Sequence, residues 1–307
     1  MNCLESAIAS RFACLEKEVM LIFTEYWKIW VNNNAHSIGN LIQIPENRIE
    51  EKIEQFYGVH MDSIDNLSIK DAHKEIKKSI LENDLPITVS IDGYFCHWNK
   101  TSYKKNDDLH IFNIVGFDEI NQFYICQDSF NGTKLQYLPY NIFELSFNSI
   151  IIFSSFEERH HNYAQIFQNE LLTFDSQSDK IDVRSAIYLI SDIFENTFSI
   201  TNEIQTNEFF FESELSKKLF SITRYRKKTS ILLKYLSEKL FNYVIYSAAI
   251  DLEREASKWL YTRSILIKNF EKGEITLENI KMVSGIWRDI ANSEYQIFKV
   301  LQKEQIH

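Results

Sequence analysis

The chain has 307 residues, of which 45% are apolar and 14% aromatic, while only 7 are Gly and 3 are Pro. This composition supplies cores for about two domains, and it excludes disorder as the main state, collagen-like repeats and a glycine-rich phosphate loop. The net charge of −10 excludes a general nucleic-acid binder, because phosphate binding needs a basic surface.

The N-terminal residues do not form a signal peptide, because Glu5, Glu16 and Glu18 interrupt them and no basic segment precedes a continuous apolar stretch. The longest apolar runs, near 147–153 and 229–233, are too short to span a bilayer. We therefore expect a cytoplasmic protein without membrane contact, in which thiols stay reduced. The four cysteines are too few and too irregularly spaced for a disulfide framework: Cys3, Cys14, Cys96 and Cys126.

Residues 1–155 combine helical and strand patterns. Apolar residues at helical spacing predict three helices, over 3–16, 49–56 and about 69–83. Short runs rich in β-branched and aromatic residues then predict four strands, over 85–91, 109–117, 123–128 and 149–154. Helices that precede an antiparallel sheet are typical of the α+β class.

From residue 156 onward the strand pattern ends and long amphipathic segments follow. They cover roughly 156–175, 182–198, 207–222, 228–270 and 275–303. Gly273 is the only glycine between positions 133 and 284, so the breaks between these helices are weakly marked. We predict an all-helical C-terminal domain, a bundle or lid, over 156–307, beside an α+β N-terminal domain over 1–155.

Three residues in the first domain have positions suited to nucleophilic chemistry. Cys3 opens the first predicted helix, where the helix dipole and unpaired backbone N–H groups favour a thiolate. His110 starts one predicted strand and Asp128 ends the next. Each residue alone has an ordinary structural interpretation, as a buried thiol, a hydrogen-bonded histidine or a strand-end aspartate. Their conjunction, in this chain order, is what a papain-like nucleophilic site needs.

The predicted hairpin allows a test of this arrangement. Residues 118–121 (Asp-Glu-Ile-Asn) are a typical turn sequence between the two strands. A hairpin folded about Glu119 would place His110 directly opposite Asp128, with Cβ atoms about 5 Å apart. A shift of one residue would put the two side chains on opposite faces of the sheet.

Three segments carry a resemblance to a known family: NCLESAIAS (2–10), LPITVSIDGYFCHWNKTSY (85–103) and HIFNIVGFDEINQFYICQDS (110–129). Together they resemble the N-terminal domain of the butirosin biosynthesis protein H family. More distantly they are similar to the double-glycine-leader peptidases of bacteriocin exporters, which are also papain-like. The resemblance covers about residues 1–155, and a helical C-terminal part accompanies this domain in such proteins.

The resemblance implies a papain-like fold with Cys3 as nucleophile, His110 as base and Asp128 as the residue that orients the imidazole. It implies that an aromatic segment lines the site, and the side chains on it are Asp92, Tyr94, Trp98 and Tyr103. It also implies an aminoacyl transfer from a carrier-protein thioester to an amine. No cofactor is then bound directly, because the substrate arrives on the phosphopantetheine arm of an acyl or peptidyl carrier protein.

The sequence departs from the papain-like pattern at the oxyanion hole. Papain-like peptidases place a Gln several residues before the cysteine, whereas only Met1 and Asn2 precede Cys3 here. The donor would have to be the Cys3 N–H, the Asn2 side chain or a group from 92–103, since losing such a donor costs about 10²–10³ in rate.

Several other residues have competing interpretations. His97, beside Cys96, is expected to line the substrate pocket or lie in a loop; no second pair at ligand spacing supports a metal site. Cys14 and Cys126 lie in apolar patterns and are predicted to be core. The basic segment 217–234 is predicted to be a solvated helix face or disordered connection, or a docking surface for an acidic carrier protein. Its docking candidates are Lys217, Lys218, Arg224, Arg226, Lys227 and Lys228.

The leading hypothesis is a cysteine-dependent acyltransferase of bacterial specialised-metabolite (antibiotic or nonribosomal peptide) biosynthesis. Its acyl-enzyme would be resolved by a small-molecule amine, by water as in a thioesterase, or by an internal carbon nucleophile as in a Dieckmann-type cyclase. The alternatives are a papain-like peptidase, which predicts an open groove where transfer predicts a narrow tunnel, and a binding module without activity. The acyl group, the acceptor and the oligomeric state are left open.

Overall fold

A computed structural model describes residues 2–46, 48–83, 85–154, 157, 159–175, 181–204 and 209–304. Over these residues the fold is α+β, with antiparallel sheets and a mostly helical C-terminal region. The helices are α1 (Cys3–Cys14), α2 (Ile38–Leu41), α3 (Ile49–Tyr57), α4 (Ile69–Asn83), α5 (Tyr140–Ser146), α6 (Tyr163–Asp175), α7 (Val183–Thr197), α8 (Ile200–Glu203), α9 (Glu214–Lys239), α10 (Tyr243–Glu271) and α11 (Leu277–Gln302). The strands are β1 (Trp30–Val31), β2 (Ile42–Gln43), β3 (Met61–Ile64), β4 (Ile87–Asp92), β5 (Leu109–Asp118), β6 (Phe123–Gln127), β7 (Gln136–Pro139) and β8 (Phe147–Phe153).

The chain divides into two compact units. The first holds Met1–Ile22 and Arg48–Arg159, and the second holds Phe23–Asn47 and His160–His307. The sequence division at 155/156 thus differs in the segment Phe23–Asn47, whose short β1–β2 ladder packs with the helices of the second unit, and in residues 156–159, which fall in the first unit.

The first unit is built on an antiparallel sheet with the strand order β3-β8-β4-β5-β6-β7. One face carries a core of aliphatic and aromatic side chains from the strands and from α4 and α5, including Val89, Phe112 and Phe143. Helix α1 packs against β5, and the buried Asn113 amide donates to the Ala7 carbonyl at 2.8 Å. This packing holds the first helix against the strand that carries His110.

The second unit is dominated by the long helices α9, α10 and α11. The predicted helix break between 222 and 228 is wrong, because α9 continues to Lys239. The break instead lies at Asn242, whose side chain caps α10 by accepting from the Val244 and Ile245 N–H groups. The predicted helix starts at 156 and 207 lie outside the described residues. Within the described ranges, none of the helices combines the length and apolarity needed to cross a membrane.

Candidate active site

Cys3 is the first residue of α1, as the sequence pattern predicts. Asn2 caps the helix in a reciprocal box: its Oδ1 accepts from the Glu5 N–H at 2.8 Å, and its own N–H donates to Glu5 Oε2 at 2.9 Å. The cap fixes the first turn, so the Cys3 sulfur sits at the positive end of the helix with the Leu4 and Ile111 N–H groups directed at it.

The β5–β6 hairpin brings the other two residues together in a register that differs from the prediction. Asp118 makes the turn, since its Oδ1 accepts from the Ile120 and Asn121 N–H groups at 2.9 Å. Phe117 pairs with Tyr124, so His110 does not lie directly opposite Asp128, and that prediction is wrong.

A β-bulge in β5 determines which face of the sheet the His110 side chain occupies. The register shifts by one residue between Ile114 and Gly116, which leaves Val115 as the extra residue. Because side chains alternate between faces, this single insertion puts His110 on the same face as Asp128, as diagonal neighbours. His110 Nε2 and Asp128 Oδ2 are 2.7 Å apart.

A chain of hydrogen bonds runs from Asp128 through His110 to Cys3. Both His110 and Asp128 are buried, with 2% and 3% of their surfaces exposed. Asp128 is bonded to His110 Nε2, and the interaction of the same imidazole with the Cys3 thiol lowers the pKa of the thiol. The structure therefore brings the three predicted residues together in the order carboxylate, imidazole, sulfur.

The Asp128 carboxylate is held by donors from three segments. Its Oδ2 accepts from Trp98 Nε1 and Asn131 Nδ2, both at 2.8 Å, in addition to His110. Its Oδ1 accepts from the Phe130 N–H at 3.1 Å. Burial alone raises the pKa of Asp128, but these bonds and the nearby imidazole outweigh burial, so its pKa is lowered and the carboxylate stays ionised.

The charges of the site favour a thiolate–imidazolium pair. Burial raises the pKa of Cys3, but the hydrogen bond from His110, the Ile111 and Leu4 amides and the imidazolium charge together lower it below the ordinary thiol value. Burial lowers the pKa of His110, yet its bonds to Asp128 and Cys3 raise it to about 9. Between these two pKa values the proton resides on the imidazole and the sulfur is a nucleophile.

Trp98 reaches Asp128 from the loop between β4 and β5. The loop is closed at its base, where the Gly93 N–H donates to the Asp108 carbonyl at 2.9 Å. A Cβ at Gly93 would lie 2.5 Å from that oxygen, so this close approach requires glycine. The Trp98 ring also packs edge-on against Phe112, with centroids 5.4 Å apart.

Three other predicted pocket residues line a cavity whose lining does not include the triad. Tyr94, His97 and Tyr103 line a separate cavity of about 630 Å³, together with residues of β7 and α5. The Asp92 carboxylate instead accepts from the Tyr94 N–H at 2.9 Å and caps the turn that starts the loop. Of the aromatic segment, only Trp98 hydrogen-bonds to the catalytic candidates among the described residues.

The start of α1 offers an oxyanion donor. The Cys3 N–H has no acceptor among the described residues, and the helix cap uses only the Oδ1 of Asn2, which leaves the Nδ2 donor of Asn2 outside the cap. First-turn N–H groups lack intrahelical partners, so the Cys3 N–H can point at an oxygen bound next to the sulfur.

Asn131 is a site residue that the sequence analysis missed. Its side chain donates to Asp128 Oδ2, and its backbone N–H approaches Oδ1 at 3.3 Å. The signal was present, because Asp128 and Asn131 repeat the Asp-x-x-Asn spacing of the turn at Asp118 and Asn121.

The remaining cysteines do not share the environment of Cys3. Cys126 is buried as predicted, and burial raises its pKa well above the ordinary value. Burial likewise raises the pKa of Cys96 to about 12. Cys14, predicted to be core, is exposed. No group of three or more His, Cys, Asp or Glu side chains in the described part of the chain is placed to hold a metal ion.

Two of the six docking candidates in the basic segment of α9 are buried. Arg226 is fully buried, and its Nε donates to Glu294 Oε1 at 2.7 Å. Lys228 is 2% exposed, with its Nζ 4.3 Å from the centre of the Tyr26 ring. The other four candidates are half-buried or exposed: Lys217, Lys218, Arg224 and Lys227. Arg226 and Lys228 are therefore not accessible to a partner, and a carrier-docking surface formed by the other four residues stays a prediction.

No known protein-family model matches the sequence, and no curated protein matches it significantly.

Proposed function

We propose that this chain is a cysteine-dependent acyl-transfer enzyme of bacterial specialised-metabolite biosynthesis, built on a papain-like first unit. The observation that supports it is the hydrogen-bonded series Asp128–His110–Cys3, in which the thiol pKa is lowered and the imidazole pKa is raised to about 9. A thiolate next to an oriented imidazolium is the activated nucleophile that acyl transfer needs.

In the first half-reaction the Cys3 thiolate attacks the carbonyl carbon of a thioester. The oxyanion forms next to the Cys3 N–H, the bond from carbon to the leaving sulfur breaks, and His110 gives its proton to that sulfur. In the second half-reaction His110 takes a proton from the attacking amine, and the Cys3 thiolate leaves from the acyl carbon. Asp128 holds the imidazole orientation throughout and stabilises its charge.

The substrate class of this proposal is a carrier-protein thioester, with a small-molecule amine as acceptor. It rests on the family resemblance of residues 1–155, since the triad geometry is common to transfer, hydrolysis, cyclisation and peptide cleavage. The same acyl-enzyme resolved by water would make the protein a thioesterase, and an internal carbon nucleophile would make it a cyclase.

A single-turnover assay tests the nucleophile. The full chain is mixed with an aminoacyl-pantetheine thioester, as the free arm and on a carrier protein, and the intact mass is followed. The wild type and Cys14→Ala should gain one acyl group, whereas Cys3→Ala should lose acylation by about 10³-fold or more. Unchanged acylation of Cys3→Ala would end the assignment of this residue.

Samples of the acyl-enzyme are then incubated with amine or with buffer alone, and the free enzyme is incubated with peptides. Faster deacylation with amine, with formation of the amide, supports transfer, whereas loss of the acyl group at an amine-independent rate identifies a thioesterase. Cleavage of a peptide library without thioester acylation identifies a peptidase. If Cys3 reacts with iodoacetamide no faster than a small thiol at neutral pH, the chain is a binding module.

A further inference from the structure

The first unit contains a cavity at the end of its sheet where β4 begins and β8 ends. Its volume is about 440 Å³, within the range of small-molecule sites. The β4–β8 ladder ends at the pair Thr88 and Ile151, two residues after Pro86, which has no N–H with which to extend it. The cavity lies beside the last residues of β8, and α1 and α4 also contribute to its wall.

Hydrocarbon side chains make up more than half of the lining residues. They come from the end of α1, the start of β4 and the end of β8: Leu15, Leu85, Ile87, Ile151, Ile152 and Phe153. A cavity with this lining favours a ligand that has hydrocarbon surface to remove from water.

The guanidinium of Arg11 lies at the wall of this cavity. Its Nη1 donates to the Pro86 carbonyl, between the lining residues Leu85 and Ile87. Its Cζ is 4.9 Å from the centre of the ring of Phe153, which is also a lining residue. These two contacts place the charged end of the side chain at the cavity, and not only its hydrocarbon stem.

Among the residues that the structure describes, no carboxylate pairs with Arg11. Its Nε is buried without a hydrogen-bond partner, whereas its Nη2, which has no partner among these residues either, is not buried and can donate to a ligand. Burial lowers the pKa of Arg11, and the Cys14 thiol is the group that opposes this effect. A half-buried cation that has lost hydration without gaining a counter-ion is stabilised by an anion that binds beside it.

The other charged lining residues leave the charge of Arg11 uncompensated. Lys78 is exposed and adds a second positive charge to the wall. Glu75 is the acidic residue of the lining, and it lies one turn before Lys78 on α4. Because the described lining has two basic side chains and one acidic, its formal charge is positive.

We propose that this cavity binds an aliphatic carboxylate, whose oxygens accept from Arg11 Nη2 and whose chain packs against Ile151 and Phe153. A carboxylate matches the planar fork of a guanidinium. An aliphatic acid fits better than an inorganic anion, because an inorganic anion would leave the hydrocarbon wall uncovered. The site shares no residue with the proposed acyl transfer.

Titrations of the full chain test the site with hexanoate, with 1-hexanol as the neutral analogue and with hexylammonium as the analogue of opposite charge. Binding is followed by calorimetry and saturation-transfer NMR. Hexanoate should bind at least about tenfold more tightly than 1-hexanol, and hexylammonium no more tightly than 1-hexanol. Arg11→Met, which keeps an unbranched hydrocarbon stem, should weaken hexanoate binding by about tenfold or more, whereas Arg48→Met should leave it within about twofold. Arg48 is the matched control, since it is exposed in the same unit and pairs with Glu51.

Chemical protection of the wild type gives a second test, which does not depend on the folding of Arg11→Met. Hexanoate at ten times its Kd should slow the modification of Arg11 by phenylglyoxal about tenfold, measured by peptide mass spectrometry. Cys3→Ala should bind hexanoate as the wild type does, so the fate of the acyl-transfer proposal does not decide this one. Equal affinities for hexanoate and 1-hexanol, an Arg11 that hexanoate does not protect, a folded Arg11→Met variant with unchanged affinity, or no binding at about 10 mM hexanoate would each overturn the proposal.

Discussion

In each unit, the residues that the structure describes include a buried pair of a carboxylate and a nitrogen-containing side chain. In the first unit His110 and Asp128 are 2.7 Å apart, and in the second Arg226 and Glu294 are also 2.7 Å apart. All four side chains are buried. Distance and burial therefore do not distinguish a candidate catalytic pair from a structural one.

The two pairs differ in what the remaining polar atoms contact. Arg226 Nη1 donates to the Trp27 carbonyl at 2.9 Å, and Glu294 Oε2 accepts from the Trp27 indole at 3.0 Å, so this pair is turned inward. His110 Nε2 is bonded to Asp128, and the same imidazole interacts with the Cys3 thiol. A guanidinium holds its protons at any physiological pH, whereas an imidazole exchanges one. The first pair is thus suited to proton transfer and the second to holding α9 against α11.

The largest expected effect comes from Asp128→Asn. An amide cannot stabilise the imidazolium and favours the wrong tautomer, so the single-turnover acylation rate should fall about 10⁴-fold. Asp118→Asn is the matched control, because this aspartate belongs to the same Asp-x-x-Asn pattern but is half-buried at the hairpin turn. Its rate should equal that of the wild type. A rate for Asp128→Asn within about tenfold of the wild type would remove Asp128 from the site.

Breaking the structural pair should affect stability instead of reactivity. Glu294→Leu leaves Arg226 buried and unpaired, which should lower the free energy of unfolding by about 3–5 kcal/mol in urea titrations. The double variant Arg226→Met with Glu294→Leu should recover most of this loss. Glu253→Gln, which breaks the exposed pair with Lys234, should cost less than about 1 kcal/mol. If the double variant is as unstable as the single one, the cost lies in packing and not in the stranded charge.

The pH dependence of Cys3 alkylation is a further test of the difference between the His110–Asp128 and Arg226–Glu294 pairs. The lowered pKa of Cys3 predicts an iodoacetamide rate at pH 7 above that of a small thiol, with its inflexion below the ordinary thiol value. A second inflexion is expected near pH 9, where the imidazolium loses its proton. His110→Ala should move the first inflexion up towards the ordinary thiol pKa. In folded Glu294→Leu the profile should be unchanged.

The pKa shifts of His110 and Asp128 also determine how the stability of the fold changes with pH. The folded pKa of His110 is raised to about 9, so its contribution is full below its unfolded pKa of about 6.5 and is lost as the pH rises through 9. The pKa of Asp128 is lowered in the fold, so its contribution is present above its unfolded pKa and is lost as the pH falls.

Sequence periodicity located the elements that carry the site but not their register. The central strands β4, β5 and β6 were predicted within two residues at each end, because their runs are long and apolar. The edge strands β3 and β7 have four residues each, largely exposed, and β7 ends in a proline, so neither has a strand pattern. The bulge at Val115 lies beside Gly116, and an isolated glycine within a strand pattern is a signal of a bulge that the register prediction did not use.

In the second unit the sequence predicts an exposed surface where the structure has a buried ion pair. Arg226 lies in a basic run that predicts an exposed surface, yet Glu294, 68 residues later, supplies a buried partner. A charge pattern contains information about neighbouring residues only, so it cannot predict a buried partner that is distant in the sequence. The helix break at Asn242 was missed for a related reason, since no Gly or Pro marks it and its signal is a single capping side chain.

The smallest expected effect is on the free energy of unfolding, from removing the Asn side chain that caps a helix in each unit. Asn2 caps α1 through the Glu5 N–H, and Asn242 caps α10 through the Val244 and Ile245 N–H groups. Replacing either residue by Ala should lower the free energy of unfolding by about 1 kcal/mol, measured in urea. Only Asn2→Ala should also slow the alkylation of Cys3, because a frayed first turn withdraws the Leu4 amide from the sulfur.

Asn2→Asp separates the two roles of this cap. An aspartate retains the acceptor for the Glu5 N–H, so stability should be close to that of the wild type. Its negative charge beside the sulfur disfavours a thiolate, and the inflexion of Cys3 alkylation should move to higher pH. If Asn2→Ala lowers stability but neither variant changes the alkylation of Cys3, the start of α1 supports the helix and does not tune the nucleophile.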